Sequence, residues 1–423
     1  MRQIWRRGAS HLTERADVLV VGAGPAGSSA AYYAARAGLS VILLDRQEFP
    51  RDKPCGDGLM PHAASELRLM GLGDWLDEPA HGRFKGFAIH THTAAFRELC
   101  PTTLHGPYGY VVPREETDAK ILERARSSGA AFHAGVRATG LTRSAAGEVT
   151  GLEAAANGEA VRYEAPLVIV ADGSGGGFCQ DEGLKARQNA VARRQYFRNV
   201  RNPDGEYLQV FITKDMNEHG AGYGWIFYFG DGRANVGAGV STKTLARHPH
   251  TLHQIYDRFL QEPEVRRQLA GAEPEGLPRS WSLKMGMWGA KRYAQGVMMA
   301  GDAGSMIHPI SGEGVGYALE SGRLAASWAY EAHARRDFSA RLLSGYERQL
   351  RRQRAREHFS GYALTNLVPS LSMMEPLFKE CEKDPELRRT LVASFTGDTA
   401  VYGLIRHPAA LVRTLRAIAA SRG

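Results

Sequence analysis

Two kinds of apolar pattern alternate along the chain. The first is a short apolar run that leads into a glycine turn and then into small residues at helical spacing, as in residues 16–60 and 296–330. Such a run is typical of a buried parallel strand followed by a helix. The second is a short alternating run with glycines at its ends, which is typical of an antiparallel strand with one covered face. Runs of the second kind are Phe87–His92, Tyr207–Thr213, Gly222–Phe229 and Asn235–Val240.

The first apolar run, residues 18–21, leads into the pattern Gly22-Ala-Gly24-Pro-Ala-Gly27. In such a pattern Gly22 permits a tight turn, Gly24 lets a pyrophosphate approach the backbone, and Gly27 lets the helix pack on the strand. The N-terminus of that helix attracts a diphosphate. A second apolar run ends at Asp45, whose carboxylate can accept hydrogen bonds from a ribose. We therefore predict a dinucleotide site here rather than a purely structural turn.

Two further apolar runs end in a carboxylate. One closes in Asp172-Gly173, and the other closes in Gly301-Asp302 before the turn His308-Pro-Ile-Ser-Gly-Glu-Gly-Val-Gly316 and a helix. Either run alone could be a turn that closes a strand. Because both runs follow the first glycine pattern along the chain, together they predict a carboxylate that binds the hydroxyls of a ribityl chain. They also predict a glycine turn that presents backbone N–H groups to an electron-rich ring.

Together the three signatures resemble the FAD-binding fold of p-hydroxybenzoate hydroxylase and its relatives. The resemblance implies bound FAD rather than bound NAD, with Asp45 on the adenosine ribose and Asp302 on the ribityl chain. It also implies that Arg114 contacts the phosphates or the ribityl chain; the alternative is a surface arginine that opens a helix. The cofactor-binding residues expected on this basis are Gly22, Gly24, Ala26, Gly27, Asp45, Arg46, Cys55, Gly56, Arg114, Asp172, Gly301, Asp302, Pro309, Gly312, Gly314 and Val315.

Two segments resemble the geranylgeranyl reductase family within that superfamily. Residues 51–59, with Cys55-Gly-Asp-Gly, are similar to the loop that crosses the flavin ring in the family. Tyr223-Gly-Trp225-Ile-Phe227 is similar to the family's Tyr-x-Trp-x-Phe-Pro strand, although Tyr228 replaces the proline. The resemblance implies that these three aromatic residues bind the substrate and that Cys55 takes part in the chemistry. The alternatives are ordinary sheet core and a small buried thiol.

The expected fold is α/β, with a Rossmann-like FAD-binding domain, an inserted antiparallel β-sheet substrate domain and a helical C-terminal region. The FAD-binding domain is discontinuous because its signatures lie on both sides of the alternating runs. Residues 1–15 are expected to form a flexible basic extension. The expected boundaries are 16–80, 105–175 and 290–335 for the FAD-binding domain, 81–104 and 176–289 for the substrate domain, and 336–423 for the helical region.

Charge and cysteine usage narrow the class of protein. The chain has 423 residues, a net charge of +8 and four scattered cysteines, so we expect a reduced, cytoplasmic protein without a metal site. No run of about 18 apolar residues predicts a membrane span. Residues 335–356 carry eight arginines against two acids. This basic C-terminal stretch is either a solvated helix face or a surface attracted to an anionic membrane or an acidic partner. No nucleic-acid motif and no obligate protein partner are evident.

The leading functional hypothesis is an FAD-dependent oxidoreductase. It would reduce carbon–carbon double bonds of an isoprenoid or other lipophilic small-molecule substrate by hydride transfer from reduced flavin. The alternative is an FAD-dependent monooxygenase, a hydroxylase or epoxidase that tailors a natural product; the Gly-x-Trp-x-Trp-x-Ile-Pro motif of related halogenases is absent. A flavin-binding protein without turnover is a third reading. Because no second dinucleotide motif occurs, we expect NADPH or a small redox protein to donate electrons transiently.

Overall fold

The structure is a computed structural model that describes residues 13–101, 105–179, 182–184, 186–201, 205–217, 220–367, 374–397, 399 and 401–420. Most of the expected basic extension, residues 1–12, lies outside this range. Sheets and helices are mixed along the chain, so the predicted α/β class is confirmed.

The strands of the described residues are, in chain order, β1 (Thr13–Arg15), β2 (Val18–Val21), β3 (Val41–Leu44), β4 (Gly58–Leu59), β5 (Gly82–Phe84), β6 (Gly86–Thr91), β7 (Ala95–Leu99), β8 (Gly109–Val111), β9 (Ala131–His133), β10 (Val136–Arg143), β11 (Val149–Ala156), β12 (Glu159–Glu164), β13 (Leu167–Val170), β14 (Ala190–Arg198), β15 (Tyr207–Ile212), β16 (Gly222–Tyr228), β17 (Ala234–Ser241), β18 (Glu273–Leu283), β19 (Tyr293–Ala294) and β20 (Val297–Met299).

The α-helices of the same residues are α1 (Pro25–Arg36), α2 (Pro61–Leu69), α3 (Gly73–Leu76), α4 (Arg114–Ser127), α5 (Lys214–Asn217), α6 (Thr242–Arg247), α7 (Leu252–Leu260), α8 (Pro263–Gln268), α9 (Val315–Arg335), α10 (Ala340–Leu367), α11 (Glu375–Lys383), α12 (Pro385–Thr396) and α13 (Pro408–Ala420). The same described ranges also contain the 3-10 turns Gly301–Gly304 and Val401–Arg406.

A six-stranded sheet in the order β19-β20-β13-β2-β3-β9 forms the centre of the dinucleotide-binding part. Its central strands are parallel and buried on both faces, which explains their continuous apolar runs. Val18 and Val20 face a core shared with α1 and α9. Leu19 and Val21 point to the opposite face. Helices therefore cover one face of the sheet and a second layer covers the other.

That second layer is a sheet of four strands in the order β1-β12-β11-β10. Its core residues, such as Val149 and Leu152, pack against Leu19 and its neighbours. These residues fall within the expected segment 105–175 of the FAD-binding domain, and their sequence does not predict a separate sheet. Side chains that are only partly buried along β10 explain why no clear alternation reveals it.

A seven-stranded sheet in the order β18-β14-β17-β16-β15-β6-β7 confirms the predicted inserted antiparallel domain. The β15–β6 pair is parallel, and the other five neighbouring pairs are antiparallel. The four predicted strands in this region correspond to β6, β15, β16 and β17, with ends shifted by only one residue. One face of the sheet packs on α7 and α8. Part of the other face packs on α11 and α12.

After Gly316 the described residues are helical, as the sequence pattern predicts. Helix α9 lies against α1 at close range because the contact is built from glycine and alanine: a Cβ atom on Gly322 would lie 2.2 Å from the carbonyl oxygen of Ala26. Helix α10 runs for 28 residues. No helix within the described ranges has both the length and the apolar character needed to cross a bilayer.

Candidate active site

A cavity of about 1830 Å³ lies where the carboxyl ends of the six-stranded sheet meet the face of the seven-stranded sheet. Residues that follow β2, β3, β13 and β20 line one end, and residues of β14, β16, β17 and β18 line the other. The carboxyl ends of parallel strands are the usual place for a ligand in such a sheet. The cavity therefore joins the predicted dinucleotide signatures to the predicted substrate-binding strand.

The three glycines of the first pattern have different surroundings. A Cβ atom on Gly22 would lie 2.4 Å from the carbonyl oxygen of Ala171, and one on Gly27 would lie 1.7 Å from that of Gly22. Both glycines are thus required for packing, and Gly22 also has a φ of +99°. On Gly24 the nearest atom would be Nη2 of Arg51, 3.6 Å away. Gly24 therefore presents open backbone to the cavity.

Arg51 faces this open backbone and was not among the predicted site residues. Its guanidinium lies 3.2 Å from Asp118 and 3.9 Å from Asp45. Its buried Nε atom has no hydrogen-bond partner among the described residues. A guanidinium whose Nη2 lies beside the N-terminus of α1 and whose Nε keeps an unused N–H fits an anionic diphosphate. The only sequence signal was its place at the start of the Cys55 loop, residues 51–59.

Asp45 ends β3 as predicted and is buried. Its Oδ2 accepts a hydrogen bond of 2.8 Å from the backbone N–H of Ala23, and its Oδ1 accepts one of 2.9 Å from that of Gln47. The two bonds fix the carboxylate at the edge of the cavity, beside the exposed Arg46. Each carboxylate oxygen keeps a lone pair for a ribose hydroxyl. This arrangement fits the adenosine end of FAD.

The two strand-end carboxylates after β13 and β20 differ. Asp302 accepts hydrogen bonds from Lys53 Nζ (3.3 Å) and Ser174 Oγ (2.9 Å) and lines the cavity. Asp172 also lines the cavity, but its Oδ2 accepts from the backbone N–H of Phe178 at 3.1 Å. Burial raises the pKa of Asp172. One oxygen of Asp172 thus closes its own glycine-rich loop, and both carboxylates remain predicted cofactor contacts at the cavity wall.

Two of the expected cofactor residues, Gly27 and Gly301, do not line the cavity. A Cβ atom on Gly301 would lie 2.8 Å from that of Ala26, so this glycine lets the 3-10 turn pack on α1. Both glycines support the site through packing and do not contact the cavity themselves. The other expected cofactor residues line it, including Ala26, Gly56, Pro309, Gly312, Gly314 and Val315.

Arg114 opens α4 and is buried, so the surface alternative does not hold. Its Nε and Nη2 atoms donate to the two carboxylate oxygens of Asp118 at 2.7 and 2.8 Å. Burial alone would lower the pKa of Arg114, but Asp118 and the adjacent Cys55 raise it above its usual value. The guanidinium is thus a fixed cation against Cys55, at the wall of the cavity.

The Cys55 loop lies on the aromatic strand β16. A Cβ atom on Gly56 would lie 3.2 Å from the ring of Phe227 and 3.3 Å from Nε1 of Trp225. A side chain at this position would press on the two rings, so glycine suits the close approach of the loop backbone. Asn235 of β17 fixes the arrangement, since its Nδ2 donates to the Cys55 carbonyl at 2.7 Å and its Oδ1 accepts from Trp225 Nε1 at 2.9 Å.

Asp57 anchors the same loop from the other side and was not predicted as a site residue. Its backbone has a φ of +63°, in the left-handed region. Its Oδ2 accepts from Asn235 Nδ2 at 2.7 Å and from the Tyr196 hydroxyl at 2.9 Å, and its Oδ1 accepts from the Arg114 backbone N–H at 3.1 Å. Burial raises the pKa of Asp57 to about 6, although these hydrogen bonds and Arg194 oppose the rise.

Replacing Asp57 by Asn is expected to remove a pH dependence of stability. The folded protein binds this proton more tightly than the unfolded chain, so the stabilisation present at low pH is lost as pH rises through about 6. We expect the free energy of unfolding of the wild type, relative to D57N, to fall by about 1 kcal/mol between about pH 5 and pH 7. Urea titrations of both proteins measure it. Parallel pH profiles would contradict the assignment.

Tyr223, Trp225 and Phe227 face the cavity from one side of β16, as period two predicts. The ring centroid of Trp225 lies 5.9 Å from that of Tyr223 and 6.2 Å from that of Phe227. The Tyr223 hydroxyl donates to the Ser311 carbonyl at 2.5 Å, which ties the strand to the turn before α9. Burial, with a smaller effect of Cys55, raises the pKa of Tyr223 above its usual value. The wall is therefore aromatic and uncharged.

Beyond Tyr223 the sheet forms a trough with a floor of small residues. The strand register places Tyr223, Gly239, Ala192 and Trp281 in one row across β16, β17, β14 and β18. All four residues line the cavity. Gly239 and Ala192 lack bulky side chains, so two strand widths, roughly 10 Å, stay open between the two aromatic residues. The resemblance identified Tyr223, but the partners across the sheet depend on the register.

His308 and a cluster of three polar side chains near the cavity have structural roles. His308 is buried, and its Nδ1 accepts from the backbone N–H of Ser311 at 3.2 Å. Burial lowers the pKa of His308 to about 3, so the ring is neutral and holds the turn. His62, Glu66 and Glu320 place possible metal-ligand atoms within 4.8 Å of one another. Their carboxylates bind the guanidinium groups of Arg323 and Arg354 instead.

Comparisons with known proteins agree with this geometry. An FAD-binding domain model matches residues 15–218, and a geranylgeranyl reductase catalytic domain model matches residues 189–271. Menaquinone reductase of Mycobacterium tuberculosis is 34% identical over 332 residues, covering 74% of this chain and 76% of the relative. Digeranylgeranylglycerophospholipid reductase of Methanosarcina mazei is 30% identical over 352 residues, covering 80% and 81%.

Solved structures share the same fold. A geranylgeranyl bacteriochlorophyll reductase-like protein from Thermoplasma acidophilum superposes with a TM-score of 0.76 at 26% identity, covering 97% of this chain and 98% of the other. A flavin-dependent brominase gives 0.74 at 19% identity, covering 90% and 94%, and so shares the fold alone. The open backbone at Gly24, the guanidinium of Arg51 and the fixed carboxylates of Asp45 and Asp302 fit FAD. The chain belongs to the geranylgeranyl reductase family of FAD-dependent oxidoreductases.

Proposed function

We propose that this protein saturates carbon–carbon double bonds in the polyprenyl chain of a lipophilic substrate. The observation that carries the proposal is the trough between Tyr223 and Trp281, which opens from the FAD end of the cavity. Its small-residue floor and aromatic ends suit a long apolar chain. The names of the relatives add support, since they describe reduction of a menaquinone and of a digeranylgeranyl lipid.

The side chains of this protein serve mainly to position the double bond and to exclude water. Bound FAD, once reduced, supplies the hydride. The Cys55 loop and the wall of Tyr223, Trp225 and Phe227 hold a flat or chain-like group at the end of the cavity where we expect the flavin ring. This is the substrate-binding role that the resemblance predicts for the three aromatic residues. Arg114 keeps a positive charge at Cys55, and we propose that the Cys55 thiol lies within reach of the reacting carbon. Holding the double bond close in a dry site is required because an isolated alkene accepts hydride poorly.

Electron supply is a further part of the proposal. We infer that NADPH or a small redox protein reduces FAD through transient contact, since no second dinucleotide motif accompanies the first. Anaerobic mixing of the FAD-loaded protein with NADPH distinguishes the two sources. Rapid bleaching of the flavin absorbance identifies the nicotinamide, whereas bleaching by dithionite alone favours a redox protein.

Anaerobic incubation of the dithionite-reduced protein with menaquinone or with digeranylgeranylglycerophospholipid tests the reaction. We expect mass spectrometry to show a gain of two hydrogens for each reduced bond. In D₂O, both should be deuterium, because dithionite supplies only electrons, so the hydride and the proton both derive from solvent. A product that gains oxygen, formed only in air with NADPH, would instead support the monooxygenase alternative.

The substitutions Ala192→Phe and Ala192→Ser test whether the substrate binds in the trough. The new ring would fill the floor between Gly239 and Trp281, and we expect kcat/KM for a prenylated substrate to fall roughly 100-fold. Ala192→Ser keeps the floor open and should stay within a few-fold of the wild type. FAD content should be unchanged in both variants. Equal activity of the Phe variant would exclude the trough as the substrate path.

A further inference from the structure

Two exposed aromatic side chains stand together at the mouth of the cavity. Trp288 is 62% exposed and Phe359 is 54% exposed, and their ring centroids are 5.5 Å apart. Trp288 also lines the cavity, as does Tyr362, which follows Phe359 by three residues on α10. Large apolar side chains that meet in water at a cavity entrance mark a contact surface rather than ordinary exposed residues.

The same part of α10 is positively charged. Arg352, Arg356 and Phe359 are exposed and follow the spacing i, i+4, i+7, so they share one face of the helix. The two acidic residues of α10, Glu347 and Glu357, are both buried. Glu347 binds the guanidinium of Arg292, and Glu357 accepts from the Tyr317 hydroxyl. The exposed charge of α10 is therefore cationic, with no acid at the surface to offset it.

We propose that Trp288, Phe359, Arg352 and Arg356 form a docking surface for an anionic lipid bilayer. Tryptophan and phenylalanine insert at the headgroup level, and arginine attracts anionic headgroups. A bilayer bound here covers the mouth of the cavity, so that an apolar substrate can pass from the lipid into the site without crossing water. The proposal rests on the proposed function for the nature of that substrate, but binding to vesicles is measured without turnover.

This surface replaces a more general expectation. Membrane contact of the basic C-terminal helices is only one of the alternatives that the sequence leaves open, and the sequence does not locate it on the surface. The structure narrows the candidate to the part of α10 that adjoins the cavity, because only there do exposed cations, exposed aromatic side chains and the cavity mouth coincide among the described residues. An acidic protein could also recognise the arginines, but it would not require two adjacent exposed rings.

Sedimentation of the FAD-loaded protein with lipid vesicles tests the docking surface. We expect binding to an equal mixture of phosphatidylglycerol and phosphatidylcholine, and little binding to phosphatidylcholine alone. The double variant R352Q/R356Q should bind the anionic vesicles about 30-fold more weakly. The control R247Q/R266Q removes the same charge from exposed positions on α6 and α8 and should stay within about threefold of the wild type.

The aromatic pair is tested separately. The double variant W288S/F359S should lose roughly tenfold in vesicle affinity even at low salt, since its charge is unchanged. Leu277→Ser, at a site that is 84% exposed on β18, is the apolar control and should bind as the wild type does. Unchanged FAD content and melting temperature would show that the variants are folded.

Three results would overturn the proposal. The first is equal binding to vesicles with and without phosphatidylglycerol. The second is binding as tight as that of the wild type by both R352Q/R356Q and W288S/F359S. The third is no sedimentation with either kind of vesicle. The last would leave an acidic protein as the partner of α10. Vesicle binding with no reduction of any prenylated substrate would contradict the proposed function and leave the docking surface intact.

Discussion

Replacing Gly24 by valine is expected to yield a folded protein that no longer retains FAD. Gly24 has φ −72° and ψ −173°, a conformation that valine adopts readily. Its Cβ would face the cavity with no atom nearer than Nη2 of Arg51 at 3.6 Å, at the point where we expect a diphosphate to meet the N-terminus of α1. Loss of one or two charge-assisted hydrogen bonds there should weaken FAD binding by about 100-fold or more. The absorbance of bound flavin after gel filtration measures the loss.

Gly27→Ala is the matched control, because it alters the same motif by a single methyl group. Its Cβ would lie 1.7 Å from the Gly22 carbonyl oxygen, so the helix and the turn must separate. We expect this variant to fail in folding rather than only in cofactor binding. Circular dichroism distinguishes the two outcomes. A Gly24→Val protein that keeps its yellow colour would remove the diphosphate from this turn.

Replacing Arg292 by methionine is expected to cost about 3–5 kcal/mol of unfolding free energy. The guanidinium is fully buried and donates to the carbonyl oxygens of Gly304 at 2.6 Å and Met287 at 2.8 Å. It also donates to Glu347 at 2.9 Å. Methionine fills similar volume but leaves these acceptors buried without a donor. Urea unfolding of the FAD-loaded protein measures the change.

Arg335→Met provides the contrast for this prediction. Arg335 also pairs with a glutamate, Glu331, but its side chain is 63% exposed. An exposed pair on one helix contributes less than about 1 kcal/mol. Equal losses in the two variants would show that Arg292 does not hold the segment before β19 against α10.

Sequence reasoning was most successful where the chemistry is local. The turn at Gly22, the acid at the end of β3 and the alternation along β16 each need only a few consecutive residues. For that reason the FAD site, the antiparallel sheet and the aromatic wall could be predicted. Local motifs did not distinguish Asp172 from Asp302, because the difference lies in the backbone N–H of Phe178 that the first carboxylate binds.

Other features depend on contacts between distant parts of the chain. Asp57 meets Tyr196 and Asn235, which are 139 and 178 positions away. Ala192 meets Trp281 only through the pairing of β14 with β18. Arg51 faces Gly24 because the Cys55 loop folds back over the first turn. No pattern within a short window contains this information, so these residues could be recognised only in the folded protein.

The cavity is assembled from segments that begin at Val21 and extend to Phe395. A ribosome must therefore complete almost the entire chain before the last wall can close. Since a ligand stabilises only the state that binds it, FAD cannot contribute its full stabilisation to a nascent chain that still lacks Asp302 and the turn before α9. The supply of FAD in the cell should consequently affect the yield of finished protein and have little effect on its early synthesis.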